Sequence, residues 1–283
     1  MKCKLVDVFT KQKMSGNGLT IFYDYDVLSQ NKMLSLTQEM RQFESIFVSE
    51  ILSESSVRAK IFTVEEELDF AGHPIIGLAG HLHEESGDVN PRTWQIVLNK
   101  KSVEVKTKKS GDYFYASMAQ GKPEFISILS ENDKHAVLRA LNLTSENLAD
   151  YPLEVISTGL PYLIVPIISG IEKARILLPN FEDLLANFGA KFAYIIDIGN
   201  FEGRTWDNLG AVEDIATGSA AGPTAAYLTK HQLASVNKPI IISQGRFLGR
   251  DSEIEAYVEA KDNVITNIWI SGDVAKVANI DFV

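Results

Sequence analysis

Short stretches of alternating apolar and polar residues recur along the whole chain and predict a protein built mainly of strands. In the first half, residues 4–9, 19–24, 44–51, 57–64, 93–98, 102–107 and 113–118 carry that two-residue period or are rich in β-branched and aromatic side chains. In the second half, residues 153–158, 162–168, 192–198, 239–243, 253–259 and 264–271 read the same way. Helical spacing is rarer. It predicts ordinary helices over 34–43, 134–141 and 180–188, and two unusual ones over 74–85 and 221–230. The first unusual helix carries Ile75, Ile76, Leu78, Ala79 and Leu82, and the second is almost wholly small or apolar from Ala220 to Leu228. A helix without a polar face is buried on all sides. Many short strands and one such helix per half predict an α+β fold in which a sheet wraps around a helix, twice. The turn near 121–123 places a boundary between residues 1–120 and 121–283, with the last strand free to pack back on the first domain.

The two buried helices open alike. Phe70-Ala71-Gly72-His73-Pro74 leads into the first, and Asp214-Ile215-Ala216-Thr217-Gly218-Ser219-Ala220-Ala221-Gly222-Pro223 into the second. Such runs spell a tight turn feeding a helix N-terminus. Proline is tolerated in the first turn because its missing N–H has no partner there, and glycine lets another group approach the backbone. Two such starts facing one another are expected to offer free N–H donors and positive dipole ends to a small carboxylate or other anion.

Bulk properties narrow the classes. A length of 283 residues suits two cores. No apolar run reaches membrane-spanning length, and the N-terminus reads as a first strand rather than a signal core, so a cytoplasmic location and no membrane partner are expected. The formal net charge is −10, from 27 basic and 37 acidic side chains. Only Lys100, Lys101, Lys106, Lys108 and Lys109 cluster, and they are expected on the solvated side of a hairpin, so nucleic acid is not an expected partner. The single cysteine, Cys3, reads as a small buried thiol, and excludes both an internal disulfide and a racemase working with two opposed thiols. Cys/His spacing for zinc is missing, and His81 and His83, two apart on a helix, do not share a face. No metal site is expected.

Three side chains could carry chemistry. Glu44, in Phe43-Glu44-Ser45-Ile46-Phe47-Val48, would share a strand face with Ile46 and Val48. A carboxyl among apolar groups has a raised pKa and can exchange protons near neutrality; the alternative is a strand-end glutamate in solvent. His73, at the helix start, could donate to a substrate or relay a proton, or simply satisfy backbone groups. Asp214 could orient a histidine or a substrate amine, or merely favour a helix N-terminus. Ser219 is not in a G-x-S-x-G nucleophile elbow, because position 217 is threonine, and it suits anion binding better than hydrolysis. Ser15-Gly16-Asn17-Gly18 lacks the third glycine of a dinucleotide-binding turn, and strand-like sequence follows it.

Taken together, these segments resemble the phenazine-biosynthesis PhzF-like family. The resemblance is carried by residues 6–9, 15–18, 43–48, 59–63, 67–74, 157–161, 213–222 and 244–250. It implies the diaminopimelate-epimerase-like fold: two similar domains, each a curved, barrel-like, mostly antiparallel sheet around a central helix, with the active site between them. It implies a homodimer, and a cofactor-independent isomerase that moves a proton between carbons of a small anionic metabolite by general acid–base catalysis. The family's catalytic residues match Glu44, His73 and Asp214, and its substrate-binding positions match Asn17, Gly72, Gly218 and Ser219. Gly18 and Ile215 stand where relatives carry proline, and the stretch 204–210 also lacks one; these departures bear on the substrate. A one-base epimerase or lyase, and a metabolite-binding protein without turnover, are the competing readings.

Overall fold

Alternating residues become strands wherever one face can be buried, and the two apolar segments become helices inside them. The computed structural model describes residues 1–24, 27–262 and 264–282. In chain order the elements are β1 (Lys2–Val8), β2 (Asn17–Tyr23), α1 (Gln30–Met40), β3 (Glu44–Ser53), β4 (Ser56–Thr63), β5 (Glu67–Leu68), α2 (Gly72–Ser86), β6 (Arg92–Val97), β7 (Ser102–Ser110) and β8 (Tyr113–Gly121). They continue as β9 (Glu124–Ile128), α3 (Glu131–Ala140), β10 (Glu154–Ser157), β11 (Pro161–Ile167), α4 (Phe181–Ala186), β12 (Phe192–Asp197), β13 (Glu202–Arg204), α5 (Gly218–Lys230), β14 (Pro239–Gln244), β15 (Ser252–Lys261) and β16 (Val264–Asp281). Packing divides the chain into two units: Met1–Ala119 with Gly249–Glu253 and Ser271–Val283, and Gln120–Leu248 with Ile254–Ile270.

In the first unit the strands follow the order β1-β2-β3-β4-β6-β7-β8-β16, and β16 returns to pair with β1. Among the described residues this is a closed ring of eight strands, so none is left as an unpaired edge. The pairs β2/β3 and β4/β6 are parallel. Helix α2 packs against β1, β2, β3, β6 and β7. Ile75, Ile76 and Leu78 are fully buried, each worth about 1.5–3 kcal/mol. A side chain at Gly77 would collide with Leu19, so this glycine sets how closely the barrel wall approaches the helix. On the other side of β3 and β4, α1 covers Phe22, Phe47 and Phe62 with Met33 and Leu36. It starts at Gln30, four residues before the apolar spacing does, because Ser29 caps it by accepting the Lys32 N–H.

In the second unit the order is β9-β10-β11-β12-β13-β14-β15-β16. Helix α5 packs against β10, β11 and β12, and α3 and α4 contribute Val137, Leu138, Phe181 and Leu185 to a separate cluster with Val165, Ile195 and Trp206. Two expectations need correcting. Helix α5 begins at Gly218, so Pro223 is its sixth residue and lies inside the helix rather than in its first turn. It has no N–H to offer the Ser219 carbonyl four residues back. The last strand, expected to end near residue 271, runs to Asp281 because its second half finds a partner in β1, across a bulge at Leu5/Val6.

Candidate active site

In the first unit the barrel's register brings three site residues together. Asn17 and Glu44 are the first residues of the parallel strands β2 and β3. Glu44 is level with Leu19 on one side and with Thr63 on the other. Gly72 and His73 open α2 beside them. Asn17, Glu44 and His73 are at most 6% exposed. His73 Nδ1 lies 3.1 Å from Glu44 Oε2 and 3.4 Å from the Asn17 side-chain nitrogen. Burial pulls the His73 pKa down to about 3, with the Gly18 backbone acting weakly the other way. The ring is therefore neutral at pH 7, and the Glu44 carboxylate favours the tautomer that carries its proton on Nδ1. His73 Nε2 is then an acceptor, and it is buried without a hydrogen-bond partner among the described residues. No side chain caps the start of α2.

A brace that the sequence did not reveal holds this corner. Arg250 donates to Asp7 (2.7 Å), to the Gly16 carbonyl (2.8 Å) and to the Ser15 carbonyl (3.1 Å), while the Met14 N–H donates to Asp7 (2.7 Å). Burial raises the Asp7 pKa, and the Met14 amide and Arg250 oppose it. Gly16 has a φ of +63°, and a side chain there would strike Thr10 and the Val8 carbonyl. At Gly18 the room that a larger residue would need is filled by Gln42. The motif Gln244–Arg250 was visible in the sequence, but nothing in its spacing showed which strand the arginine would reach.

In the second unit, Asp214 is 8% exposed and accepts from Thr217 Oγ1 at 2.5 Å. Gln244 fixes this turn with all its polar capacity. Its nitrogen donates to the Asp214 carbonyl (2.8 Å) and to Thr217 Oγ1 (3.0 Å), and its oxygen accepts from Thr217 N (3.1 Å) and Tyr194 Oη (3.0 Å). Burial, with Asp214's charge adding, pushes the Tyr194 phenol well above its usual range, so it remains a donor. The Gly218 carbonyl accepts from Gln120 (2.8 Å), which Thr158 steadies (2.8 Å). The Ser219 hydroxyl pairs with Tyr162 Oη at 2.8 Å. Beneath Asp214, Arg204 holds Glu213 through two 2.7 Å bonds between the rings of Trp206 and Phe247. The Thr217 hydroxyl is committed to Asp214, so α5 also lacks a side-chain cap. Amides such as Gln120 and Gln244 carry no charge or motif that flags them in a sequence.

The model of the family described as phenazine biosynthesis-like protein matches residues 6–279. The chain belongs to this family. Among its relatives, the trans-2,3-dihydro-3-hydroxyanthranilate isomerase of Pseudomonas fluorescens is 29% identical over 281 residues, covering 95% of this chain and 94% of its own length. A solved structure described as a predicted epimerase of Pseudomonas aeruginosa is 41% identical, covers 100% of this chain and 99% of its own, and superposes with a TM-score of 0.94. A probable proline racemase of Agrobacterium radiobacter shares the fold at 12% identity, with a TM-score of 0.65 over 100% of this chain and 92% of its own. This phenazine biosynthesis-like chain is therefore an enzyme of the isomerase class with the diaminopimelate-epimerase-like fold. Among the described residues no helix is long and apolar enough to cross a membrane.

Proposed function

We propose that this isomerase moves a proton between two carbon atoms of a small carboxylate-bearing metabolite, with Glu44 as the general acid–base and without a cofactor. The observation that carries this reading is the buried contact of Glu44 Oε2 with His73 Nδ1 at 3.1 Å. Glu44 takes the proton from one carbon and returns it to the other, so the metabolite's atoms and net charge are conserved. Neutral His73 holds Glu44 in place through Nδ1–H and accepts a substrate proton donor at Nε2. Asn17 and the Gly72 amide meet polar or anionic groups of the substrate. Asp214, Gly218 and Ser219 hold polar groups of the substrate. One general acid–base contributes about 10²–10⁴-fold; positioning supplies the remainder.

The test is incubation in heavy water with trans-2,3-dihydro-3-hydroxyanthranilate, the compound named for the Pseudomonas fluorescens relative, and with a panel of related small carboxylates. Deuterium at carbon in an isomeric product, lost in Glu44→Gln, is expected. Turnover that survives Glu44→Gln removes the assigned role. A second reading, one-base epimerisation, is favoured by the description of the 41% identical relative as an epimerase. It predicts inversion at a single carbon with no shift of a double bond, which chiral analysis of the same product separates. The family resemblance also supports a homodimer, to be measured by sedimentation equilibrium.

A further inference from the structure

The turn before α5 carries a chain of hydrogen bonds whose direction is forced. Gln244, 1% exposed, ends β14 beside this turn. An amide side chain can sit either way round, and its partners decide which. The Thr217 N–H can only donate, so it faces the Gln244 oxygen, at 3.1 Å. The Asp214 carbonyl can only accept, so it faces the Gln244 nitrogen, at 2.8 Å. The second N–H of that nitrogen goes to Thr217 Oγ1 at 3.0 Å. A hydroxyl has one proton. With Gln244 donating to it, Thr217 directs its own proton to Asp214 Oδ2, 2.5 Å away.

The other end of the chain is fixed as firmly. Tyr194 Oη donates to the same Gln244 oxygen at 3.0 Å. Gly203 leaves the room for it, since a side chain there would overlap the Tyr194 hydroxyl. In order, Tyr194 donates to Gln244, Gln244 to Thr217 and Thr217 to Asp214, all within the second unit. Tyr194, Gln244 and Thr217 are buried, and in such surroundings each donation polarises the next. The last one falls on a carboxylate, whose charged form a donated hydrogen bond favours. The contacts of Gln244 with the Asp214 carbonyl and the Thr217 N–H already secure the backbone of the turn. The link through the Thr217 hydroxyl is surplus to that task, and it ends on the Asp214 side chain.

We propose that Gln244 is a positioning residue of the reaction: through the Thr217 hydroxyl it holds the Asp214 carboxylate as an acceptor for an N–H or O–H group of the substrate. This rests on the reading of Asp214 as a substrate-binding residue. A carboxylate that is seated beforehand does not have to be ordered when the substrate arrives. The consequence is preference for a metabolite that carries a hydrogen-bond donor as well as its own carboxylate. Without the amide of Gln244, Thr217 is free to turn its proton elsewhere, and Asp214 loses both its orientation and the contact that favours its charge.

The test compares two probes by calorimetry: 2-aminobenzoate, which carries a carboxylate and an N–H donor, and benzoate, which lacks the donor. Thr217→Val keeps the side-chain shape and the backbone N–H but removes the hydroxyl. It and Gln244→Met should each weaken 2-aminobenzoate about three- to tenfold, the cost of ordering one unheld side chain, and leave benzoate unchanged. Thr217→Ser should bind both probes as the unaltered protein does. The two losses should not add, because one residue acts through the other. In ¹³C spectra the Asp214 carboxyl, assigned with Asp214→Asn, should titrate about one pH unit higher in Thr217→Val than in Thr217→Ser. Equal losses for both probes, fully additive losses, or a carboxyl titration that does not move overturn the role of Gln244. If Asp214→Asn weakens 2-aminobenzoate and Thr217→Val does not, that role is overturned and Asp214 stands. If Asp214→Asn binds as tightly as the unaltered protein, the reading of Asp214 fails and this role with it. Failure of both probes to bind the unaltered protein overturns the reading of the site as one for small carboxylates, and this role with it. Should Gln244→Met not fold, Thr217→Val decides alone.

Discussion

Helix α2 begins on Gly72 with Pro74 in its third position, whereas α5 begins on Gly218 with Pro223 in its sixth. Their far ends differ as well. Glu84, near the end of α2, is held by Lys4 (2.6 Å) and Lys276 (2.8 Å), both from strands. At the end of α5 the signs are reversed: Lys230 (2.6 Å) and His231 (2.8 Å) meet Glu154, a strand carboxylate that is 1% exposed. The helix dipole favours the second arrangement, with the Lys230 ammonium near the last carbonyls. In the first unit that positive charge comes from the barrel wall instead. What the two units share is an apolar helix walled in by strands; caps, prolines and ion pairs are free to differ once burial is met. The starts differ in chemistry too. An acid and a neutral histidine stand beside α2, while the Asp214 and Ser219 side chains at α5 are engaged by hydroxyls.

Four measurements press on this contrast. Glu44→Gln is expected to lower turnover by about 10²–10⁴-fold with urea unfolding unchanged; an equal loss from Ser219→Ala would erase the division between proton transfer and binding. Acid comes next. The pKa values of buried His73 and His81 are both lowered to about 3 from an ordinary 6.5, so between those values the unfolded chain binds more protons than the folded one. Stability therefore falls as pH drops through that window, by an amount on the order of a few kcal/mol. Hydrogen exchange should open α2 before α5, and His81→Phe, which preserves ring packing on Tyr23, should flatten the slope. Third, Pro223→Ala and Pro74→Ala remove the same buried ring, but only the former restores a helical hydrogen bond. The former is expected to be the more favourable by roughly 1–3 kcal/mol in urea unfolding; equal values would show that α5 tolerates its interior proline without cost. Smallest, Ser219→Ala should raise KM about tenfold with kcat held, as loss of one hydrogen bond to an anion does.

Much of this arrangement was legible because it follows from patterns a chain cannot hide. Largely apolar runs from Ile75 to Ala79 and from Ala220 to Leu228 announce helices with no solvent face, while Glu44 on an apolar strand face left a buried acid and a solvent-exposed one open until its 6% exposure decided for the first. Other features depend on partners distant in sequence. Strand β9 carries Phe125, Ile126 and Ile128 exposed, so no alternation marks it. The half of β16 after Ser271 is a strand because β1 lies beside it. Arg250 and Gln244 act through hydrogen bonds to loops hundreds or tens of residues away, and Lys101, expected on the solvated side of its hairpin, is half-buried with its ammonium 3.5 Å from the centre of the Phe70 ring.

The stave that closes the first barrel comes from the stretch that begins at Ser271, locked to β1 through register pairs that extend from Val8↔Val274 to Lys2↔Asp281. During synthesis, the first 120 residues emerge with their ring open and β1 lacking a neighbour on one side. The acid and the histidine are consequently made early but seated late, and a chain that stops before Ser271 holds no finished N-terminal barrel, only open strand edges prone to pair with other chains.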